Sequence, residues 1–184
     1  MLPADVGFWD YSVALYARPG VASACLALQD RHDLDVNLLL LCCWAGARGI
    51  QLDPGRLAAL AAAVGPWQTE VVQALRRVRR RLKGDPLSAP APAAAALRRQ
   101  IGAVELEAER IEQTMLAAAL GTSEGAASPA AAVANLAAYG RVAGVAWEAA
   151  DAADLAVLLG GAFPELSEQE RACLVAAIPV AGVA

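Results

Sequence analysis

Residues 35–48 read Asp-Val-Asn-Leu-Leu-Leu-Leu-Cys-Cys-Trp-Ala-Gly-Ala-Arg. From Val36 to Ala47 the stretch is apolar nearly all round, broken only by Asn37, with Asp35 and Arg48 standing at its two ends. It lacks the period-2 alternation of a half-buried strand. A run of this length reaches about 18 Å as a helix, short of a hydrocarbon layer about 30 Å thick. A helix with no polar face is covered on all sides by other elements. The stretch therefore predicts a central helix, and with it an all-α fold in which further helices enclose it.

The flanking sequence supplies those helices. Upstream, residues 5–18 put Phe8, Trp9, Ser12, Leu15 and Tyr16 on one face, and Pro19-Gly20 breaks the helix. A second helix runs over residues 21–30 with Val21, Cys25 and Leu28 inward; Asp33 or Asp35 caps the central helix, which Gly46 and Gly49 end. Downstream, Asp53-Pro54 is an N-cap followed by a first-turn proline for a fourth helix to Val64, and Gly65-Pro66 marks a break. A fifth helix covers residues 67–83. After the turn signals Gly84-Asp85-Pro86, Pro90 and Pro92, a sixth spans 93–120. Its apolar positions Leu97, Ile101, Val104, Ala108, Ile111 and Met115 step alternately by four and three, a heptad-like seam. Helices five and six predict a long antiparallel hairpin closed along that seam, and the same seam could instead pair two copies into a homodimer.

Beyond a small polar loop at 121–128 the chain is Ala-rich, with helices expected over 129–149, 151–159 and 167–178, the last opened by the capping box Ser167–Glu170. The expectation is a single-domain bundle of about eight helices over residues 1–184. Within it, helices of residues 1–64 surround helix 35–48, the hairpin occupies 66–120, and the Ala-rich helices fill 128–178. Aromatic residues at 5% and the lack of alternating β-branched runs argue against a sandwich or barrel. The first residues have no basic segment followed by an apolar core, so no secretory signal is read there. Cys25, Cys42, Cys43 and Cys173 fit neither CxxC nor zinc-knuckle spacing, and read as reduced, core-packed thiols of a cytosolic protein.

The string Phe8-Trp9-Asp10-Tyr11-Ser12, then Tyr16, Val21, Cys25-Leu26 and Leu28-Gln29-Asp30, leads into Asp35 to Leu40 and closes on Cys42, Cys43 and Trp44. It resembles an uncharacterised family of small bacterial proteins, the DUF2390 or TIGR02444 type. Trp67, the stretch from Leu75-Arg76 to Leu82-Lys83, Glu105 to Arg110, and Asn135-Leu136 with Tyr139 are similar to its weaker motifs. The resemblance implies no activity and no catalytic or binding residue.

Charge is the clearest functional signal. Arg76, Arg77, Arg79, Arg80, Arg81 and Lys83 crowd the end of helix five, and Arg98 and Arg99 open helix six. Against these eight cations, residues 76–99 hold one anion, Asp85, in a chain whose net charge is −4. A hairpin would gather all eight at one tip. The macrodipole favours cations at the end of helix five but disfavours them at the start of helix six. The tip is thus either a solvated, internally paired face or a docking site for an acidic protein surface or nucleic-acid phosphates. No aromatic side chain interleaves the arginines for base stacking.

Glu105 and Glu109, one turn apart, repel unless a cation sits between them. Arg48 or Arg56 could supply one, or the carboxylates could hold a metal, although the Glu-x-x-His pairs of a di-iron bundle are absent. Asp33, Asp35 and Asn37 begin like an EF-hand, but Leu38 stands where its glycine belongs and Trp44 where its glutamate belongs, so they read as caps. His32, the lone histidine, reads as an inter-helix residue. With no nucleophile motif, GxGxxG or phosphate loop, neither catalytic residues nor a cofactor or metal is expected. The favoured reading is a non-enzymatic interaction module. The alternative is an enzyme or carrier with a small-molecule pocket among the N-terminal helices, lined by Trp9, Asp10, Gln29, Asp30, Asn37 and Trp44.

Overall fold

The computed structural model describes residues 6–83, 89–122 and 125–179. It is all-α: α1 (Phe8–Tyr16), α2 (Val21–His32), α3 (Val36–Ala47), α4 (Pro54–Trp67), a π-turn (Gln68–Val72), α5 (Gln73–Arg81), α6 (Ala91–Leu120), α7 (Pro129–Val142), α8 (Ala149–Ala162) and α9 (Glu168–Val175). Because α4, the π-turn and α5 follow without a break, the described residues form eight helical rods. None is long and apolar enough to cross a membrane. Contacts divide the chain into two compact units, residues up to Ala59 together with those from Gly121, and Leu60–Leu120.

In the first unit α3 is the centre, buried at every position from Asn37 to Ala47. Its main neighbour is not an N-terminal helix but the Ala-rich α7, with α1, α2 and α8 also against it. The reason lies at Gly46. A Cβ there would fall 2.5 Å from the Ala132 Cβ and 2.6 Å from its Cα and N, so the backbones of α3 and α7 touch. Gly46 is thus an approach point inside the helix rather than its end. Gly49, at φ +67°, is the residue that turns the chain away. The carbonyls left open at the end of α3 are met from the segment just before α7, where Gly125 N donates to Arg48 O (2.7 Å) and Ser128 N to Gly46 O (2.9 Å). At the other end Asp35 is the cap, accepting from Asn37 N at 2.9 Å, while Asp33 closes α2 in the left-handed conformation.

Two polar side chains of α7 secure this centre. The Asn135 side chain, fully buried, accepts from Leu52 N (2.7 Å) and donates to Cys42 O (3.2 Å) and Ile50 O (2.9 Å). Tyr139 Oη accepts from Asp35 N (2.9 Å). α7 stops at Val142 rather than near 149, because Gly144 (φ +70°) reverses the chain and lays the Trp147 ring on Gly140, where any Cβ would lie 2.4 Å from the indole. The Ser167–Glu170 capping box forms as read, and Glu148 with Asp151 forms a second at the start of α8. Cys25, Cys42 and Cys43 are buried, and burial pushes their thiols up, Cys25 to about 12. Cys173 departs from the core-thiol expectation: it is exposed on α9.

In the second unit Gly65-Pro66 does not break the helix. Pro66 lies inside α4 and the π-turn follows at once. An interior proline removes one rung of the hydrogen-bond ladder and crowds the preceding turn. A single wider π-turn restores the register without ending the rod. The expected turn at Gly84-Asp85-Pro86 lies outside the described residues. α5 packs on α6, but not along the heptad seam. Leu97, Val104 and Ile111 are 48%, 55% and 40% exposed, Ile101 and Met115 half-buried, and only Ala108 is buried. The buried face of α6 instead runs through Ala94, Glu105, Ala108, Glu112, Gln113, Leu116 and Leu120. Its physical cause is the pairing of charges described next.

Candidate functional site

α5 is built from strong helix formers, and its cations sit where the macrodipole favours them. At 100° per residue, Arg76 and Arg79 fall on one side of the helix with the buried Val72, whereas Arg77, Arg80 and Arg81 fall on another. That rotation divides the cationic run into two groups.

The first group is internal. Arg76 Nε donates to Glu105 Oε1 at 3.1 Å and its terminal nitrogen to Glu109 Oε1 at 2.6 Å. Arg79 grips the same Glu105 carboxylate with two nitrogens, Nε on Oε2 and a terminal nitrogen on Oε1 at 3.0 Å. The Arg79 Cδ lies 3.4 Å from where a Cβ on Gly102 would stand. The Trp67 indole N–H donates to Ala108 O at 3.0 Å, a further tie to α6. Glu105 is 5% exposed. Burial pushes its carboxyl up, but the hydrogen bonds from Arg79 and Arg76 outweigh this and hold it below the ordinary glutamate value. The cation between Glu105 and Glu109 is Arg76, with Arg79 joining it on Glu105. Once those carboxylates face α5, the neighbouring seam of Leu97, Val104 and Ile111 turns to solvent.

The second group is external: Arg77, Arg80, Arg81 and Lys83 are exposed, as is Arg99, while Arg98 is half-buried on α6. Of these eight cations, Arg76 and Arg79 pair with the carboxylates of α6, and five are exposed.

The N-terminal set divides differently. Gln29, Asn37 and Trp44 are buried, Trp9 is half-buried, and Asp10 and Asp30 are exposed. Trp44 is stacked by Phe8 at 5.0 Å between ring centroids and lies under the Arg48 guanidinium at 4.6 Å. A cavity of about 400 Å³ in the same unit is lined by other residues, among them Pro54, Val133, Ala137, Arg141, Leu174 and Ala177.

One cluster escaped the sequence. At the end of α2, Arg31 Nε donates to Asp151 Oδ1 (2.8 Å) and a terminal nitrogen reaches Asp154, while His32 Nε2 lies 2.8 Å from Asp151 Oδ2. Glu148 N donates to the same Oδ2 at 2.7 Å, and the His32 ring stands edge-on to Trp147. Burial pushes Asp151 up, but the Glu148 N–H, His32 and Arg31 hold its carboxyl below the ordinary value. The cluster joins α2 to α8, in keeping with His32 as an inter-helix residue. Partners about 120 positions apart leave no local signal; only the Asp151 cap motif, Glu148 to Asp151, was there to be read.

Residues 7–116 match the family model described as a protein of unknown function (DUF2390). The match covers more than half of the chain, so the chain belongs to that family. No curated protein and no solved structure matches it.

Proposed function

We propose that this member of the DUF2390 family is a non-enzymatic docking module that holds an acidic stretch of a partner protein on the exposed cations at the end of α5 and the start of α6. The observation that carries the reading is the division of the arginines. Arg76 and Arg79 fix α5 on α6 through Glu105 and Glu109, and Arg77, Arg80 and Arg81 are exposed together on another side of the same helix. The guanidinium fork suits carboxylates because it donates two parallel N–H groups.

The choice of protein over nucleic acid rests on the long-range field. The chain carries a net charge of −4 and a pI near 5.0, so an extended polyanion is repelled at a distance. A short acidic segment senses mainly the patch, since screening acts within about 8 Å at physiological salt. Three buried, protonated thiols suit a reducing compartment, and we place the module in the cytosol.

The test is fluorescence anisotropy with a labelled Asp/Glu-rich peptide and, separately, a short DNA duplex, at low and physiological salt. The variant is Arg77→Glu/Arg80→Glu/Arg81→Glu, three exposed positions, with circular dichroism as the fold control. Peptide binding that weakens with salt and falls at least about ten-fold in the variant supports the reading. Unchanged peptide binding, or a preference for the duplex, overturns it.

A further inference from the structure

We infer that the exposed seam of α6 is the interface of a homodimer, in which the same helix of a second copy lies against it antiparallel, about a two-fold axis at Val104. Leu97, Val104 and Ile111 stand seven residues apart and 40–55% exposed. On the same face lie Ala93, Gln100, Glu107, Thr114 and Ala118, all exposed, so that over about 38 Å of helix it carries one charge, Glu107. A strict seven-residue apolar repeat is what one helix requires of another that follows it along its length. α5 does not meet that requirement, because its arginines turn α6 toward Glu105.

The occupant is a second copy because the face is complementary to itself. A two-fold contact sets each residue against its mirror position. With Val104 on the axis, Leu97 lies opposite Ile111, twice over. Gln100 of one helix comes within about one residue's rise of Glu107 of the other, giving the lone carboxylate an amide donor. Antiparallel pairing also opposes the macrodipoles of the two helices, which a parallel pair would align. A parallel pair would place Glu107 on Glu107.

The test is the mass of the full chain by light scattering on a sizing column at about 100 µM, well above a micromolar dissociation constant. The wild type is expected as a dimer. Val104→Asp, which sets two carboxylates on the axis, weakens it by more than about 100-fold. Leu106→Asp, on the far side of the helix and 54% exposed, leaves it intact. Helicity is followed in both. Orientation is read by oxidation in a Cys173→Ser background, where Leu97→Cys and Ile111→Cys chains link when mixed and neither links to itself. A monomeric wild type, a dimer indifferent to Val104→Asp, or self-linking of Leu97→Cys each overturns the inference. The dimer stands apart from acidic-peptide docking, since Arg77→Glu/Arg80→Glu/Arg81→Glu is expected to leave the mass unchanged.

Discussion

Replacing Glu105 by Gln keeps the size of the side chain and removes the charge that two arginines share. Breaking a fully buried ion pair by deleting one partner costs about 3–5 kcal/mol. Here the Glu105 side chain is 6% exposed, but those of Arg76 and Arg79 are 15% and 31%, and Arg76 keeps Glu109 at 2.6 Å. Solvent reaches the stranded cations, so the expected loss is about half, ~2 kcal/mol. With a urea slope of about 2 kcal/mol/M, the midpoint at neutral pH moves down by about 1 M, followed by far-ultraviolet circular dichroism. The pair Arg79→Met/Glu105→Leu, which removes both charges and supplies apolar volume, recovers at least half of that loss, since no stranded ion remains on Arg79. A midpoint shift below about 0.2 M for Glu105→Gln would refute the claim that these pairs hold α5 on α6 and turn the apolar seam outward.

Three further outcomes follow from the packing. Gly46→Ala drives a methyl to 2.5 Å from the Ala132 Cβ and 2.6 Å from its backbone, and is expected to cost about 2–3 kcal/mol by urea denaturation; a neutral result would mean that α3 and α7 do not touch there. Asn135→Leu strands Leu52 N, Cys42 O and Ile50 O in the interior, at about 3 kcal/mol, and a loss under about 1 kcal/mol would speak against the clamp. In acid, Asp151 and Glu105 act in the same direction. Each carboxyl is held below its ordinary value in the fold, so its stabilisation is complete above the unfolded value, about 3.9 for Asp and 4.3 for Glu, and vanishes as pH falls through the lower folded value. Asp151→Asn should therefore flatten part of the decline in urea midpoint between about pH 6 and pH 3, and an unaltered pH profile would count against the Arg31–His32–Asp151 linkage.

Most helix ends were legible because they are local. Asp35, Asp53 and Ser167 each bring a side-chain oxygen to a backbone N–H two or three residues on, and that chemistry lies within one turn of sequence. The apolar stretch of α3 was equally plain, since a helix without a polar face has only the interior to occupy. Gly65-Pro66 carries the local signal of a helix end, yet the rod continues, because the π-turn Gln68–Val72 compensates for the proline.

What the sequence by itself determined is therefore the class of fold, the central position of α3 and the concentration of positive charge near residues 76–99. Only the tertiary structure decided which neighbour covers α3, which arginines are bound internally and which side of α6 faces solvent. Along α6 two stripes compete for α5, the apolar heptad of Leu97, Val104 and Ile111 and the carboxylates of Glu105 and Glu109. Periodicity records both stripes but cannot rank them. The ranking depends on the side chains that the facing helix presents, and Arg76 and Arg79 present ions that must be neutralised where they are buried.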